Sequence, residues 1–305
     1  LERDQVSITA LSIAYTRGYH AMYDELKIFN DFLAWKLFKE NELEIMAQHY
    51  AKFIESFDPE RALTCPNEAT ALAWSIHAVG GPPLARARYT EDGLKKAVKQ
   101  GVQQYVILGA GLDTFAYRHP DMLNNLQVFE VDHPATQDFK RRRLSEAGWD
   151  KPEHLHFVPI DFTTGGLSEK LKDFGYDPRV LSFFSWLGVT HYLSREDVFN
   201  TLHSIAGTAP VGSTIIFDHL NTDALIPERT SRRLRLISEN ARRAGEPVKT
   251  GFEPDRLAAD LTGLGLRLHE YLKPSDIQER YFQGRTDGYC ACEHTYIANA
   301  VSAKI

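Results

Sequence analysis

The chain has 305 residues, 43% of them hydrophobic and 25% charged, which suits one elaborated domain or two small ones around an ordinary buried core. Its 35 basic and 41 acidic residues leave a net charge of −6, so charge gives no footing for a nucleic-acid partner. Three cysteines (Cys65, Cys290 and Cys292) are too few and too odd in number for a disulfide scaffold. Cys290-Ala291-Cys292 beside His294 lacks the spaced second pair of a soft-metal site, and no metal is expected.

Residues 1–75 read as mostly helical. Leu11, Tyr15, Tyr19 and Met22 recur at helical steps, and Phe32, Leu33, Leu37 and Phe38 form a second apolar stripe. A helical cap over a catalytic domain is the simplest reading, with the boundary placed after residue 84. Gly80-Gly81-Pro82-Pro83 predicts a turn or linker, followed by a helix over about 90–100. From 103 onward short apolar runs alternate with helical stretches. Strands are expected at 105–108, 128–132, 156–161, 179–185, 213–218, 266–271 and 294–300. Ser194 and Asp197 predict a reciprocal cap on a helix over 195–207. The alternation predicts a doubly wound, mostly parallel sheet covered on both faces, within a catalytic domain over 85–305. The Arg- and Glu-rich segment 222–250 interrupts it after the fifth strand and reads as a helical insertion walling the substrate side. The basic clusters Arg141–Arg143 and Arg232–Arg235 read as solvated or salt-bridging helix faces.

Three features fall in the order that a nucleotide site requires. The strand 105–108 runs into Gly109-Ala110-Gly111-Leu112-Asp113, where glycines allow a sharp bend and close approach of a ligand. Asp132 ends the second strand, twenty-one residues after Gly111, where a carboxylate accepts from a ribose diol. Asp161 ends the third, within reach of an adenine amino group. A tight turn at the glycines and helix caps at both acids are the plainer alternatives. A dinucleotide site asks for G-x-G-x-x-G, whereas here Thr114 stands at the third glycine and Asp113 brings negative charge where a pyrophosphate would lie. That departure favours S-adenosyl-L-methionine over NAD.

The chain resembles the leucine carboxyl methyltransferase-like family of class I methyltransferases, including its bacterial small-molecule O-methylating branch. The resemblance extends from Ser7 to the C-terminus. It rests on Thr9-Ala10 with Arg17-Gly18-Tyr19-His20, Arg86-Ala87-Arg88-Tyr89-Thr90-Glu91-Asp92 and Gln104–Thr114 with Tyr117-Arg118. Glu130–Pro134, Ser185–Leu193 and Tyr281–Gly288 add further matches. It implies a Rossmann-like α/β fold of seven strands, mostly parallel with the last antiparallel. It also implies an arginine, Arg86 in preference to Arg88, paired with the cofactor carboxylate. Gly109, Ala110 and Gly111 would line its methionine part and Asp132 its ribose. Asp161 with Phe162 would read adenine, and Ser185 would border the site. The family often carries Glu where this chain has Leu187.

Methyl transfer from a sulfonium is an in-line displacement that rests mainly on alignment and exclusion of water. A carboxylate acceptor needs no general base, whereas a phenol gains from one. Trp186, His191, Tyr192 and His219 follow the fourth and fifth strands and are the acceptor-side candidates. His191 and His219 are the candidate bases, with core packing, capping or a structural hydrogen bond as the plainer roles. The expected partner is a small carboxylic acid or phenol. A protein C-terminus, NAD-dependent redox chemistry and non-catalytic cofactor binding are the alternatives. No apolar run is long enough to span a membrane and no signal-peptide pattern is read at Leu1, so a cytoplasmic location is expected.

Overall fold

The computed structural model describes residues 6–303; Leu1, on which the signal-peptide reading turns, and the first residues of the expected cap lie outside them. Seven strands form one sheet: β1 (Gln104–Leu108), β2 (Gln127–Asp132), β3 (Leu155–Pro159), β4 (Ser182–Trp186), β5 (Thr214–Leu220), β6 (Leu266–Leu272) and β7 (Thr295–Ser302). Their order is β3-β2-β1-β4-β5-β7-β6, and only β7 runs antiparallel to its neighbours β5 and β6. The expected seven-stranded Rossmann-like sheet is therefore present.

Among the described residues twelve α-helices accompany the sheet: α1 (Ile8–Tyr23), α2 (Glu40–Phe57), α3 (Pro59–Leu63), α4 (Glu68–Lys99), α5 (Phe115–Arg118), α6 (Pro120–Leu123), α7 (Pro134–Glu146), α8 (Leu167–Asp173), α9 (Arg195–Thr208), α10 (Arg232–Arg243), α11 (Leu257–Gly263) and α12 (Pro274–Phe282). The period of two in β1 shows how they divide between the faces. Tyr105 and Ile107 pack with Leu84 and Tyr89 of α4, Phe115 of α5 and Ile277 of α12. Val106 and Leu108 pack with Leu171 of α8, Val198 and Leu202 of α9 and Leu261 of α11. The Ser194–Asp197 capping box forms at the start of α9 as its spacing predicts. No helix among the described residues is long and apolar enough to cross a membrane.

The turn expected at Gly80–Pro83 is corrected. These residues lie inside α4, a continuous helix of 32 residues. Pro82 and Pro83 cannot donate to the carbonyls of Ala78 and Val79, but the freed Ala78 carbonyl accepts instead from Arg233 Nη1 at 3.2 Å. The glycines serve close packing: a Cβ on Gly81 would overlap the backbone carbonyl of Cys290. Strand four also begins later than expected. Asp177 accepts from the Arg179 N–H at 2.9 Å and turns the chain there, so the ladder starts at Ser182. α12 was not expected; its Pro274 at the first turn and Asp276 three residues after Lys273 are ordinary start signals in a short segment.

Candidate functional site

At the carboxyl ends of β1, β2 and β4 lies a cavity of about 330 Å³, within the size range of small-molecule sites. The bend after β1 is stitched to β2 by Gly109 N–H and Ala110 N–H, which both donate to the Val131 carbonyl, at 2.8 and 3.1 Å. Gly109 has φ of +66°, and a Cβ there would overlap Val189. Asp132 Oδ2 accepts from the Gly111 N–H and Oδ1 from the His133 N–H at 2.6 Å, so the acid at the end of β2 also holds the glycine loop in place. Burial pushes the Asp132 carboxyl up, against those two N–H donors. Asp161 follows β3 and accepts from the Thr163 N–H at 2.9 Å and its hydroxyl at 2.7 Å. Burial opposes its ionisation, but the Thr163 bonds prevail and its carboxyl is held low. Phe162 lines the cavity and leans on Trp186 with ring centroids 5.8 Å apart. Ser185 lines it from β4, its hydroxyl 2.9 Å from that of Tyr105.

The two expected arginines separate. Arg86 lines the cavity, and its Nη1 donates to Asp218 Oδ2 at 2.7 Å; the other Asp218 oxygen accepts from the Gly188 N–H at 2.6 Å. Arg88 projects from another side of α4 into a separate cleft, where its Nε donates to Asp92 Oδ2 at 2.7 Å. Two positions along a helix turn a side chain by about 200°, so both arginines cannot reach one cavity.

The acceptor-side candidates are corrected in the same way. β5 continues past Asp218, which places His219 inside the sheet and away from the cavity. It is 1% exposed, its Nδ1 donates to the Leu220 carbonyl at 2.9 Å, and its Nε2 accepts from the Tyr271 hydroxyl at 3.0 Å. Tyr271 and Tyr296 both stack on its ring. Burial pushes its imidazole down to about 4. His191 does not line the cavity either. Its Nδ1 is buried without a partner among the described residues, and burial pushes the ring down to about 4, with Asp218 opposing and Arg86 assisting. Trp186 is fully buried core. Tyr192 alone of the four lines the cavity, and burial, with the charge of Glu246, raises its phenol to about 12. It is a hydrogen-bond donor at neutral pH.

Several site residues escaped sequence reasoning. Glu246, from the insertion, lines the cavity and accepts from the Thr9 N–H in the first turn of α1 at 3.0 Å. Lys249 N–H donates to the His191 carbonyl at 2.7 Å and fastens the same loop to the segment after β4. Arg17 of α1 and Glu91 of α4 line it too. Asp218 lies behind Arg86, paired with its guanidinium and with the Gly188 N–H. Its signal in the sequence was a strand-end acid, but the strand end was drawn at that residue.

The arrangement fits S-adenosyl-L-methionine. The glycine bend brings bare backbone to the cavity, Asp132 presents a carboxylate to it, Phe162 offers an aromatic face, and Arg86 carries a positive charge held by a buried partner. Comparison with known proteins bears on the same point. The model of the family described as leucine carboxyl methyltransferase matches residues 10–206. YktD of Bacillus subtilis (strain 168), named as an S-adenosyl-L-methionine-dependent methyltransferase, is 38% identical over 310 residues, which cover 99% of each chain. A Mycobacterium avium (strain 104) protein of the same naming is 28% identical over 70% of each. A Thermobifida fusca structure titled as a methyltransferase shares the fold at a TM-score of 0.60 and 13% identity, over 99% of this chain and 97% of that one. The chain belongs to the leucine carboxyl methyltransferase family and is an S-adenosyl-L-methionine-dependent methyltransferase.

Proposed function

We propose that the acceptor is a small carboxylic acid, methylated on oxygen. The observation that carries this reading is the state of the candidate bases. His191 and His219 stand off the cavity and are pushed down to about 4, and Tyr192 keeps its proton. The cavity carboxylates are engaged: Glu91 by Arg118 and His119, Asp113 by the Phe115 N–H, Asp132 by two N–H groups, Asp161 by Thr163 and Glu246 by Thr9. His133 lines the cavity on the Asp132 side, where its ring begins α7. An acceptor already ionised at neutral pH needs none of them; a phenol does. The bond between Thr9 and Glu246 closes the roof between cap and insertion, which favours a small acceptor over the end of a folded protein chain.

Bound S-adenosyl-L-methionine supplies a methyl group on a cationic sulfur that leaves as a neutral thioether. The chain's part is to bind, orient and keep water out. Arg86, fixed by Asp218, would hold the cofactor carboxylate; Gly109, Ala110 and Gly111 would border its methionine part; Asp132 would accept from the ribose hydroxyls; Asp161 and Phe162 would hold the adenine, with Ser185 alongside. Tyr192, Glu246 and Lys249 would serve the acceptor. In this reading residues 1–84 act as the cap and 85–305 as the catalytic domain, with 222–250 as the acceptor-side wall and α4 belonging to both. The cytoplasm is its proposed location.

The test is a labelled-methyl screen across carboxylates and phenols, followed by a pH profile. A carboxylate product and a kcat flat from pH 6 to 8 support the reading. Turnover of phenols alone, rising tenfold per pH unit, refutes it.

A further inference from the structure

The cap meets the cofactor loop through one buried charge. Asp31 lies between α1 and the 3-10 turn at Ala34–Leu37 and is fully buried. Its Oδ2 accepts from Arg17 Nε at 2.9 Å. Its Oδ1 accepts from the Ala34 N–H at 3.1 Å and from the Thr114 hydroxyl, and lies 3.3 Å from Arg118 Nε. Arg17 then donates from Nη2 to the Leu112 carbonyl at 2.9 Å. Arg118 Nε donates to the Thr114 hydroxyl at 2.8 Å, and its other nitrogens pair with Glu91. Leu112 and Asp113 lie between Gly111 and Thr114, and both line the cavity, as do Arg17 and Glu91.

We propose that Asp31 is a positioning residue for cofactor binding: a carboxylate supplied by the cap fixes the loop 111–114 from behind. Arg17 and Arg118 both reach Asp31, and Arg118 also pairs with Glu91, which His119 meets as well. Removing the Asp31 charge takes from Arg17 its paired carboxylate and from Arg118 one of the two it pairs with. The excess charge is relieved by drawing Arg17 or Arg118 toward water, and each is bonded to the loop. The loop's position then no longer follows from its own sequence. The glycines permit the bend, whereas Asp31 selects where its far end sits. Asp31 is 0% exposed and does not line the cavity, so its effect passes through Arg17, Thr114 and Arg118.

This inference rests on the cavity being the cofactor site, and the experiment separates the two ideas. Calorimetry measures the Kd for S-adenosyl-L-homocysteine in the full chain and in Asp31→Asn, Thr114→Val and Asp132→Asn, with kinetics in parallel. Asp31→Asn is expected to raise that Kd and the KM for S-adenosyl-L-methionine at least tenfold. The acceptor KM and the kcat at saturating cofactor should move less than threefold, a split that general loosening of the fold would not give. Thr114→Val, close in volume, is expected to raise the Kd at least threefold, and decides the matter if Asp31→Asn does not fold. A Kd within twofold of the parent in both variants, while Asp132→Asn weakens binding, overturns the role of Asp31. A Kd unchanged in Asp132→Asn as well overturns the location of the cofactor site and the inference with it.

Discussion

The two ends of the cavity are built differently. The end proposed for the cofactor comes from successive strand ends, each a short stretch in which the residue that turns the chain also lines the cavity: Gly109–Gly111 after β1, Asp132 at the end of β2 and Asp161 after β3. The end proposed for the acceptor is assembled from three segments far apart in sequence: Thr9 in α1, Tyr192 after β4 and Glu246 after α10. At the first end the backbone does the holding, through bonds such as Gly109 N–H to Val131. At the second, one side chain, Glu246, grips the backbone N–H of Thr9 in a separate element. A backbone-built end tolerates few changes, whereas a clasp that depends on one side chain can change with the acceptor.

Asp132→Asn strikes the cofactor end hardest. Loss of a charged acceptor is worth about 1.5–3 kcal/mol, so cofactor affinity is expected to fall about 10- to 150-fold, with acceptor KM barely moved. If calorimetry shows the acceptor weakened as strongly, the division between the ends is wrong.

Acid probes the sheet beside the acceptor end. His191 and His219 have folded values of about 4, below the unfolded value of about 6.5. Between those values the unfolded chain binds more protons than the folded one. The stability contributed by keeping both rings neutral is therefore fully present above about pH 6.5 and is lost as the pH falls toward 4. Unfolding free energies from urea titration are expected to fall steadily over that window, by about 2 kcal/mol per histidine at pH 4.5–5. His219→Gln should flatten part of the slope while its methyl-transfer rate at pH 7 stays within threefold of the parent. A hundredfold loss of rate would restore His219 as a base.

Glu246→Ala opens the clasp. The acceptor KM is expected to rise about five- to tenfold, the scale of one charged hydrogen bond partly open to solvent, while cofactor Kd changes less than twofold. An equal loss of cofactor affinity would show that the clasp serves both ends. The smallest effect belongs to Arg88→Gln. Its partner Asp92 is exposed and its cleft is separate, so cofactor Kd should stay within about twofold, the range of an exposed ion pair.

Local chemistry made the cofactor end legible. Gly-Ala-Gly after a strand, an acid at the next strand end and a Ser-x-x-Asp helix start each work through neighbours in sequence, and the structure keeps all of them. Gly80–Pro83 misled because the same residue types serve two purposes. Glycine allows a turn or a close approach, and only the packing of Cys290 and the Arg233 bond to Ala78 shows which applies. His219 misled because the length of β5 is set by its pairing with β7, where His219 faces Tyr296, and not by its own seven residues.

The sequence by itself determined the mostly parallel sheet covered on both faces and the nucleotide-type bend, because short apolar runs and backbone conformation depend on adjacent residues. Tertiary structure decided which of Arg86 and Arg88 reaches the cavity, which histidines are silenced, and how Asp31 and Glu246 join the cap to loops about 80 and 240 residues away. Those outcomes depend on charge and burial among residues that meet only when the chain has folded, and no spacing along the chain encodes that meeting.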